Sequence, residues 1–235
     1  MFTAQGNVWV VWHKTVIDVS EEISVSREED GWAHEDLTGG PTPGEPCECC
    51  PLDARANAAG DVLVAYRNNI DNVRDHFVFR DPAGPAGFGA AVAGSSTNWF
   101  IPACPLNGPR LSETQGGTQL LTWSDPTNGE SRIWVAQSDD GGASWSGDHV
   151  VVDAGSAQES PSITTDAGGR VWVTYDQAGS GRLSASDDDG GSFGGQASAI
   201  STDDGELVRM ELCSGPTRTG LVGVAPGGSL WWAGL

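Results

Sequence analysis

The sequence is poor in basic residues, and lysine is almost absent. Twelve lysines and arginines stand against 32 aspartates and glutamates, the formal net charge is −20, and Lys14 is the only lysine. A surface of this charge repels the phosphates of nucleic acids and of anionic membranes. We therefore exclude both as binding partners.

Long apolar runs are also missing. No stretch approaches the roughly 20 residues that a membrane-spanning helix needs. The first twelve residues lack the basic segment and the small-residue cleavage site of a signal peptide. We expect the chain to be a mature or truncated part of a longer protein that is secreted or periplasmic.

Helical periodicity is absent over any long segment, whereas turn-forming residues are abundant. The 235 residues include 33 glycines, 13 prolines and 10 tryptophans. This composition is typical of short strands joined by tight turns. The length suits one large all-β domain covering residues 1–235.

Two turns share a pattern that recurs along the chain. Ser138, Asp140, Gly142 and Trp145 spell S-x-D-x-G-x-x-W after a strand-like run, and the pattern returns 48 residues later, ending in Phe193 instead of tryptophan. The aspartate carboxylate can accept N–H bonds of the turn, and glycine supplies a positive φ. A repeat of this length indicates a repeat architecture.

These turns resemble the Asp boxes of the sialidase-like β-propellers. The resemblance implies an all-β fold of four-stranded antiparallel blades, of which family members usually have six. Two further sites are degenerate matches, SREEDGW at residues 26–32 and RDPAGPAGF at residues 80–88. The implied activity is that of an exo-α-sialidase-like glycoside hydrolase acting on acidic glycans.

About five repeats are visible. Aligning the turn that precedes each central strand gives five anchor residues: Trp9, Leu63, Leu120, Trp172 and Trp231. The alignment predicts that the chain enters at the second strand of one blade and ends in the second strand of a fifth. The domain is then incomplete at its N-terminus.

The cysteines are a feature that does not repeat. Cys47, Cys49 and Cys50 lie in GEPCECCPLD, Cys104 in WFIPACPLNGPR and Cys213 in MELCSGP. All five are predicted to lie in connections between blades, near one end of the channel. Three interpretations stay open: disulfides with one thiol left over, a copper or zinc site formed by Cys47, Cys49, Cys50 and Cys104, or buried thiols without a partner.

The second unrepeated feature is the loop YRNNIDNVRDHF, residues 66–77. It contains Arg67 and Arg74, and Arg55 and Arg110 come from neighbouring innermost strands. Guanidinium groups suit bidentate capture of a carboxylate, so these four arginines are the candidate substrate-binding residues. The alternative is that Arg67 and Arg74 pair with Asp71 and Asp75 to brace the loop.

Residues 47–110 also resemble, as a block, a subset of bacterial sialidase-like proteins with a cysteine cluster, a YRNN-type loop and a C-P-x-x-G-P segment. Sialidases use a tyrosine nucleophile, but both tyrosines here occupy a repeated packing position. Asp71 and Asp75 are the candidate catalytic groups for proton transfer. We predict a monomer that binds, and could hydrolyse, a carbohydrate; the alternatives are a thiolate metal protein or a non-catalytic interaction scaffold.

Overall fold

A computed structural model describes residues 1–4, 6–16, 20–38, 42–84, 86–126, 129–194, 198–215 and 217–235. Every regular element in these ranges is a β-strand. The contacts group the chain into two compact units. Unit 1 is Met1–Pro109 with Ser138–Ser146, and unit 2 is Arg110–Gln137 with Gly147–Leu235. Among the described residues, none forms a helix long and apolar enough to cross a membrane.

The first sheet of unit 1 is a four-stranded antiparallel meander. Its strands, in chain order, are β1 (Phe2–Ala4), β2 (Asn7–Val16), β3 (Ser20–Arg27) and β4 (His34–Asp36). Phe2 of β1 lies opposite Trp9 of β2. The prediction that the chain enters at the second strand is therefore wrong, because β1 precedes it. Three residues are too few to show the alternation that reveals a strand.

The second sheet of unit 1 contains five strands: β5 (Glu45–Pro46), β6 (Asp53–Ala56), β7 (Val62–Asn69), β8 (His76–Asp81) and β9 (Val92–Ala93). β5 and β6 both pair with β7 on the same side, β5 near its end and β6 near its start. β7 is buried on both faces from Val62 to Asn68, as expected for a strand packed between neighbours.

One apolar core stabilises unit 1. It joins the first two sheets through Trp9, Ile23, Val62, Tyr66 and Phe79, all almost fully buried. Tyr66 stacks on Phe79 with ring centroids 5.2 Å apart. The tyrosine at this repeated position is thus a packing residue, as the sequence indicated.

Unit 2 contains the remaining sheets. The third has β10 (Arg110–Glu113), β11 (Gln119–Asp125), β12 (Arg132–Ser138) and β13 (Ser146–Val150); the fourth has β14 (Gln158–Thr165), β15 (Val171–Gln177), β16 (Ser180–Ser186) and β17 (Ser198–Ala199). A hairpin of β18 (Ser201–Thr202) and β19 (Gly205–Glu206) precedes the last sheet, β20 (Val208–Ser214), β21 (Thr219–Val224) and β22 (Leu230–Gly234).

Both Asp boxes join the third strand of a sheet to the fourth. In the first, Ser138 Oγ donates to Asp140 Oδ1 and accepts from the Gly142 N–H, both at 2.8 Å. The Asp140 carboxylate also accepts the Ser144 N–H at 2.8 Å. The second box repeats these bonds with Ser186, Asp188, Gly190 and Ser192. The motif closes a hairpin turn, as predicted.

The last repeat differs from its predicted alignment. β14 and β20 carry the same irregularity, a residue with positive φ (Ser160, 54°; Arg209, 49°) at a break in the pairing with the next strand. β20 is therefore the first strand of its sheet. The A-P-G-G turn lies between the second and third strands, so the anchor Trp231 was placed one strand too early. Turn residues indicate a hairpin but do not tell which hairpin.

Candidate functional site

Four cysteines converge in unit 1. Cys47, Cys49 and Cys50 lie between β5 and β6, and Cys104 lies in the connection that follows β9. Their four Sγ atoms all lie within 4.8 Å of one another. The structure thus brings together the set that the sequence proposed as metal ligands, across more than fifty residues of chain.

Backbone bonds hold the first three cysteines against β7. The Cys47 N–H donates to the Arg67 carbonyl at 2.8 Å, and the Cys50 N–H donates to the Cys47 carbonyl at 3.1 Å. The second bond closes a tight turn over residues 47–50, in which Cys47 and Cys50 are buried and Glu48 is exposed. Gly44 precedes this turn with φ +80°, where a Cβ would lie 2.6 Å from the Asn69 carbonyl oxygen.

The segment carrying Cys104 is held by a close backbone approach and by a buried guanidinium. A Cβ on Gly108 would overlap the Pro51 carbonyl oxygen, so only glycine permits this approach. Arg67 donates from Nη2 to Asn107 Oδ1 at 2.7 Å and from Nε to the Asn107 carbonyl at 3.2 Å. Both cysteine-bearing segments are therefore attached to Arg67, one to its backbone and one to its side chain.

The sulfur atoms are close in more than one pairing. The structure pairs Cys47 with Cys50 and Cys49 with Cys104 as disulfides. Cys47 Sγ also lies 3.7 Å from Cys49 Sγ and 4.0 Å from Cys104 Sγ. Cys47 and Cys50 are 1% and 2% exposed, while Cys49 and Cys104 are half-buried. Within the cluster, solvent therefore reaches Cys49 and Cys104 more than Cys47 and Cys50.

Cys213 does not follow its prediction. It lies in β20 of unit 2, not in a connection between sheets, and it is an exposed free thiol. The error follows from the misplaced last repeat, which made the first strand of that sheet look like a connection.

Arg67 and Arg74, predicted to bind substrate, donate to groups of the protein. Arg67 is 1% exposed, and its Nη1 donates to the Arg74 carbonyl at 2.6 Å. Arg74 donates from Nη1 to Cys47 Sγ at 3.2 Å and from Nε to the Ile101 carbonyl at 3.3 Å. These bonds brace the loop, largely through carbonyls. A role in ligand binding stays a prediction.

Arg55 and Arg110 lie in different units. Arg55 of β6 donates to the Ala56 carbonyl at 3.3 Å in unit 1. Arg110 of β10 pairs with Glu211 at 3.0 Å within unit 2. Their predicted part in substrate binding also stays a prediction.

Asp71 and Asp75, the predicted catalytic groups, have different surroundings. Asp71 is exposed with φ 53° and is followed by Asn72 with φ 68°, which forms a tight turn between Ile70 and Val73. Asp75 is a loop cap: its carboxylate accepts Thr97 Oγ1 and the Asn98 N–H, both at 3.2 Å. A catalytic role for either carboxylate stays a prediction.

Burial controls the ionisable groups that could act as nucleophile or base. It raises the pKa of both tyrosines, Tyr66 and Tyr175, which are each 1% exposed. Burial lowers the pKa of His76 well below its usual value, and the nearby Arg67 cation lowers it further. Both phenols and this imidazole are therefore neutral at pH 7.

Next to the cluster, two loops form a surface that we call the platform, residues 70–74 and 98–101. The Arg74 N–H donates to the Trp99 carbonyl and the Ile101 N–H to the Asn72 carbonyl, both at 2.9 Å. Phe100, between these bonds, is 62% exposed. The sequence did not single out Phe100, Asn107 or Gly108, although all three lie in or beside the segment quoted for Cys104; a search for residues flanking that cysteine would have found them.

Comparison with solved structures identifies the fold. A protein of unknown function from Dyadobacter fermentans superposes on 100% of this chain and 77% of its own, with TM-score 0.67 and 14% identity. The NanB sialidase of Streptococcus pneumoniae covers 87% of this chain with TM-score 0.59 and 14% identity. The α-L-arabinofuranosidase of Fusarium graminearum covers 98% with TM-score 0.59 and 12% identity.

The chain has the fold of the sialidase-like propellers. This confirms the predicted fold class, all-β with antiparallel sheets as blades. The chain spans 32% of the length of the NanB sialidase and 72% of the arabinofuranosidase. No protein-family model matches the chain, and no curated protein matches its sequence. At identities of 10–14% to these enzymes and the leech trans-sialidase, the likeness shows the fold alone.

Proposed function

We propose that this chain is a secreted or periplasmic carbohydrate-binding protein. It binds a glycan at the platform and does not hydrolyse it by itself. The carbohydrate class is supported by the fold shared with glycosidases that act on different sugars, sialic acid in one case and arabinose in the other. Residues of the platform would then supply the contacts.

The observation that carries the proposal is the exposure of Phe100 on a hydrogen-bonded loop. Its side chain is 62% exposed, while the backbone bonds at Trp99 and Ile101 fix its position. A solvent-exposed aromatic ring in a fixed position is a candidate contact for the apolar face of a sugar ring. Exposed Asp71 and half-buried Asn72, in the other loop of the platform, offer polar groups.

Binding without hydrolysis follows from the ionisable groups. The two tyrosines are buried and neutral, and the Asp75 carboxylate caps a loop. A retaining glycosidase needs a nucleophile and an acid/base group on opposite sides of the scissile bond. Binding of an acidic glycan has less support than binding of carbohydrate in general. The guanidinium groups of Arg67 and Arg74 donate hydrogen bonds to acceptors of the protein itself.

A glycan-binding screen with neutral and sialylated oligosaccharides tests the proposal. We expect binding that weakens about tenfold in Phe100→Ala, the loss expected for one aromatic contact. Trp32→Ala is the matched control, since it removes another half-exposed aromatic of unit 1 that lies outside the platform. Fluorogenic sialosides and arabinofuranosides should not be turned over.

Two outcomes contradict the proposal. Binding that is equal in Phe100→Ala and wild type removes the platform as the site. Turnover of either fluorogenic substrate would show that the protein is an enzyme. Asp71 and Asp75, the candidate catalytic residues, would then be substituted first.

A further inference from the structure

We infer that Cys47, Cys49, Cys50 and Cys104 bind one zinc ion as four thiolates. This structural site, with all four coordination positions filled by the protein, lies next to the platform. The proposed carbohydrate function does not require this site, and nothing in that function accounts for four cysteines at one point. The inference rests on the sulfur geometry, on the ligand spacing and on the contacts of Arg74.

Two of the separations between sulfurs of different disulfide pairs are those of a tetrahedral ion, and all four sulfurs meet at one point. Zinc–sulfur bonds of about 2.3 Å place the four sulfurs of a tetrahedral site about 3.8 Å from one another. Cys47 Sγ lies 3.7 Å from Cys49 Sγ and 4.0 Å from Cys104 Sγ, and all six separations are within 4.8 Å. Two independent disulfides do not require their sulfurs to meet, whereas a shared ion does.

One pair of the four proposed ligands also has the spacing of a zinc site. Cys47 and Cys50 form a C-x-x-C pair whose turn is closed by the Cys50 N–H bond to the Cys47 carbonyl. Pairs of this spacing are common among structural zinc ligands. Cys104 then supplies a ligand from a distant segment, so that the ion would join two distant parts of the chain.

Arg74 provides the charge that such a site needs. Four thiolates around Zn²⁺ carry a net charge of −2, and the Arg74 Nη1 donates to Cys47 Sγ at 3.2 Å. A cation in this place stabilises a thiolate and orients it, as outer-shell groups do in metal sites. A disulfide sulfur, which is neutral, gains much less from the same contact.

The chemistry of binding is a ligand exchange without redox. Each of the four thiols loses its proton to the solvent as its S–H bond breaks, four sulfur–zinc bonds replace zinc–water bonds, and no atom changes oxidation state. The disulfide pairs Cys47–Cys50 and Cys49–Cys104 are the competing state of the same four sulfurs, and they contain four electrons fewer. The two states exclude each other, so they can be told apart by experiment.

The first measurement uses wild-type protein purified with a phosphine reductant in the absence of oxygen. We expect one zinc ion per chain by elemental analysis. Ellman's reagent should then find one fast-reacting thiol, the exposed Cys213, and five after a chelator is added. Replacement of zinc by Co²⁺ should give the visible absorption of a tetrahedral tetrathiolate site.

Variants locate the ligands. Cys49→Ser and Cys104→Ser should each lower zinc affinity at least about a hundredfold. Substitution of outer-shell residues costs up to about a hundredfold, and loss of a direct ligand should cost no less. Cys213→Ser is the matched control and should keep one zinc ion per chain. If a ligand variant fails to fold, the thiol-protection measurement on wild type still decides, because it needs no substitution.

Three outcomes overturn the inference. The first is reduced, folded wild-type protein that binds no metal. The second is stoichiometric copper or iron, and no zinc, in the protein as it is purified. The third is a peptide map of the native protein that contains both disulfides, with Cys213 as the one thiol that reacts. None of these outcomes affects the proposed glycan binding, which is measured with Phe100→Ala.

Discussion

The guanidinium of Arg74 donates from Nη1 to the Sγ atom of Cys47 at 3.2 Å, and from Nε to the Ile101 carbonyl at 3.3 Å. One side chain thus contacts both the cysteine cluster and the platform. The Arg74 N–H also bonds the Trp99 carbonyl, so the backbone of this residue contacts the Phe100 loop as well.

Arg74→Gln should weaken zinc binding by about 10- to 100-fold while leaving all four ligands in place. The glutamine amide is neutral and cannot offset the charge of the thiolates. Competition with a chromophoric chelator measures the affinity, and Arg218→Gln, at an exposed position of unit 2, is the control. Unchanged affinity in Arg74→Gln would show that the contact with Cys47 has no part in metal binding.

Arg67→Lys should lower the free energy of unfolding by about 3 kcal/mol without any ligand present. Lysine cannot reproduce the three directed bonds to Asn107 and to the Arg74 carbonyl, so buried acceptors lose their donors. Urea unfolding of this variant, compared with Arg218→Lys, measures the loss. Wild-type stability combined with lost glycan binding would instead favour the substrate-binding role predicted from the sequence.

Gly108→Ala should destabilise unit 1 by about 1–3 kcal/mol, the usual cost of overpacking. The added methyl would overlap the Pro51 carbonyl oxygen, so the Cys104 segment has to move away from residues 47–51. Gly89→Ala is the matched control, because a Cβ there meets nothing within 4 Å. Thermal unfolding of both variants provides the comparison. Equal melting temperatures would show that the segment shifts without cost.

Repeated features were predictable from the sequence, and unrepeated ones were predictable only in part. The Asp boxes at Asp140 and Asp188 were found because a fixed turn needs the same residue types wherever it occurs. Convergence of Cys47 with Cys104 followed from placing both in connections between blades. Bracing by Arg67 was one of two alternatives, but its burial and its partner Asn107 could not be predicted, because β7 is buried on both faces and alternation therefore does not reveal which side chain is enclosed.

The second Asp box makes a prediction about acid stability. Hydrogen bonds from the Ser186 and Ser192 hydroxyls, with the Ser192 N–H, lower the pKa of Asp188 from 3.8 to about 2. Because the folded pKa lies below the unfolded value, the ionised carboxylate stabilises the fold above pH 3.8, and this contribution is lost as the pH falls toward 2.

Asp188→Asn removes the titrating group and should cost about 1 kcal/mol at neutral pH, a value reduced because the carboxylate is exposed to solvent. The difference from wild type should shrink as the pH is lowered from neutral toward 2. Denaturant unfolding across this range measures it, with Asp189→Asn as control, since asparagine tolerates the positive φ of that neighbour. A difference that stays constant with pH would show that the lost bonds do not depend on the charge of Asp188.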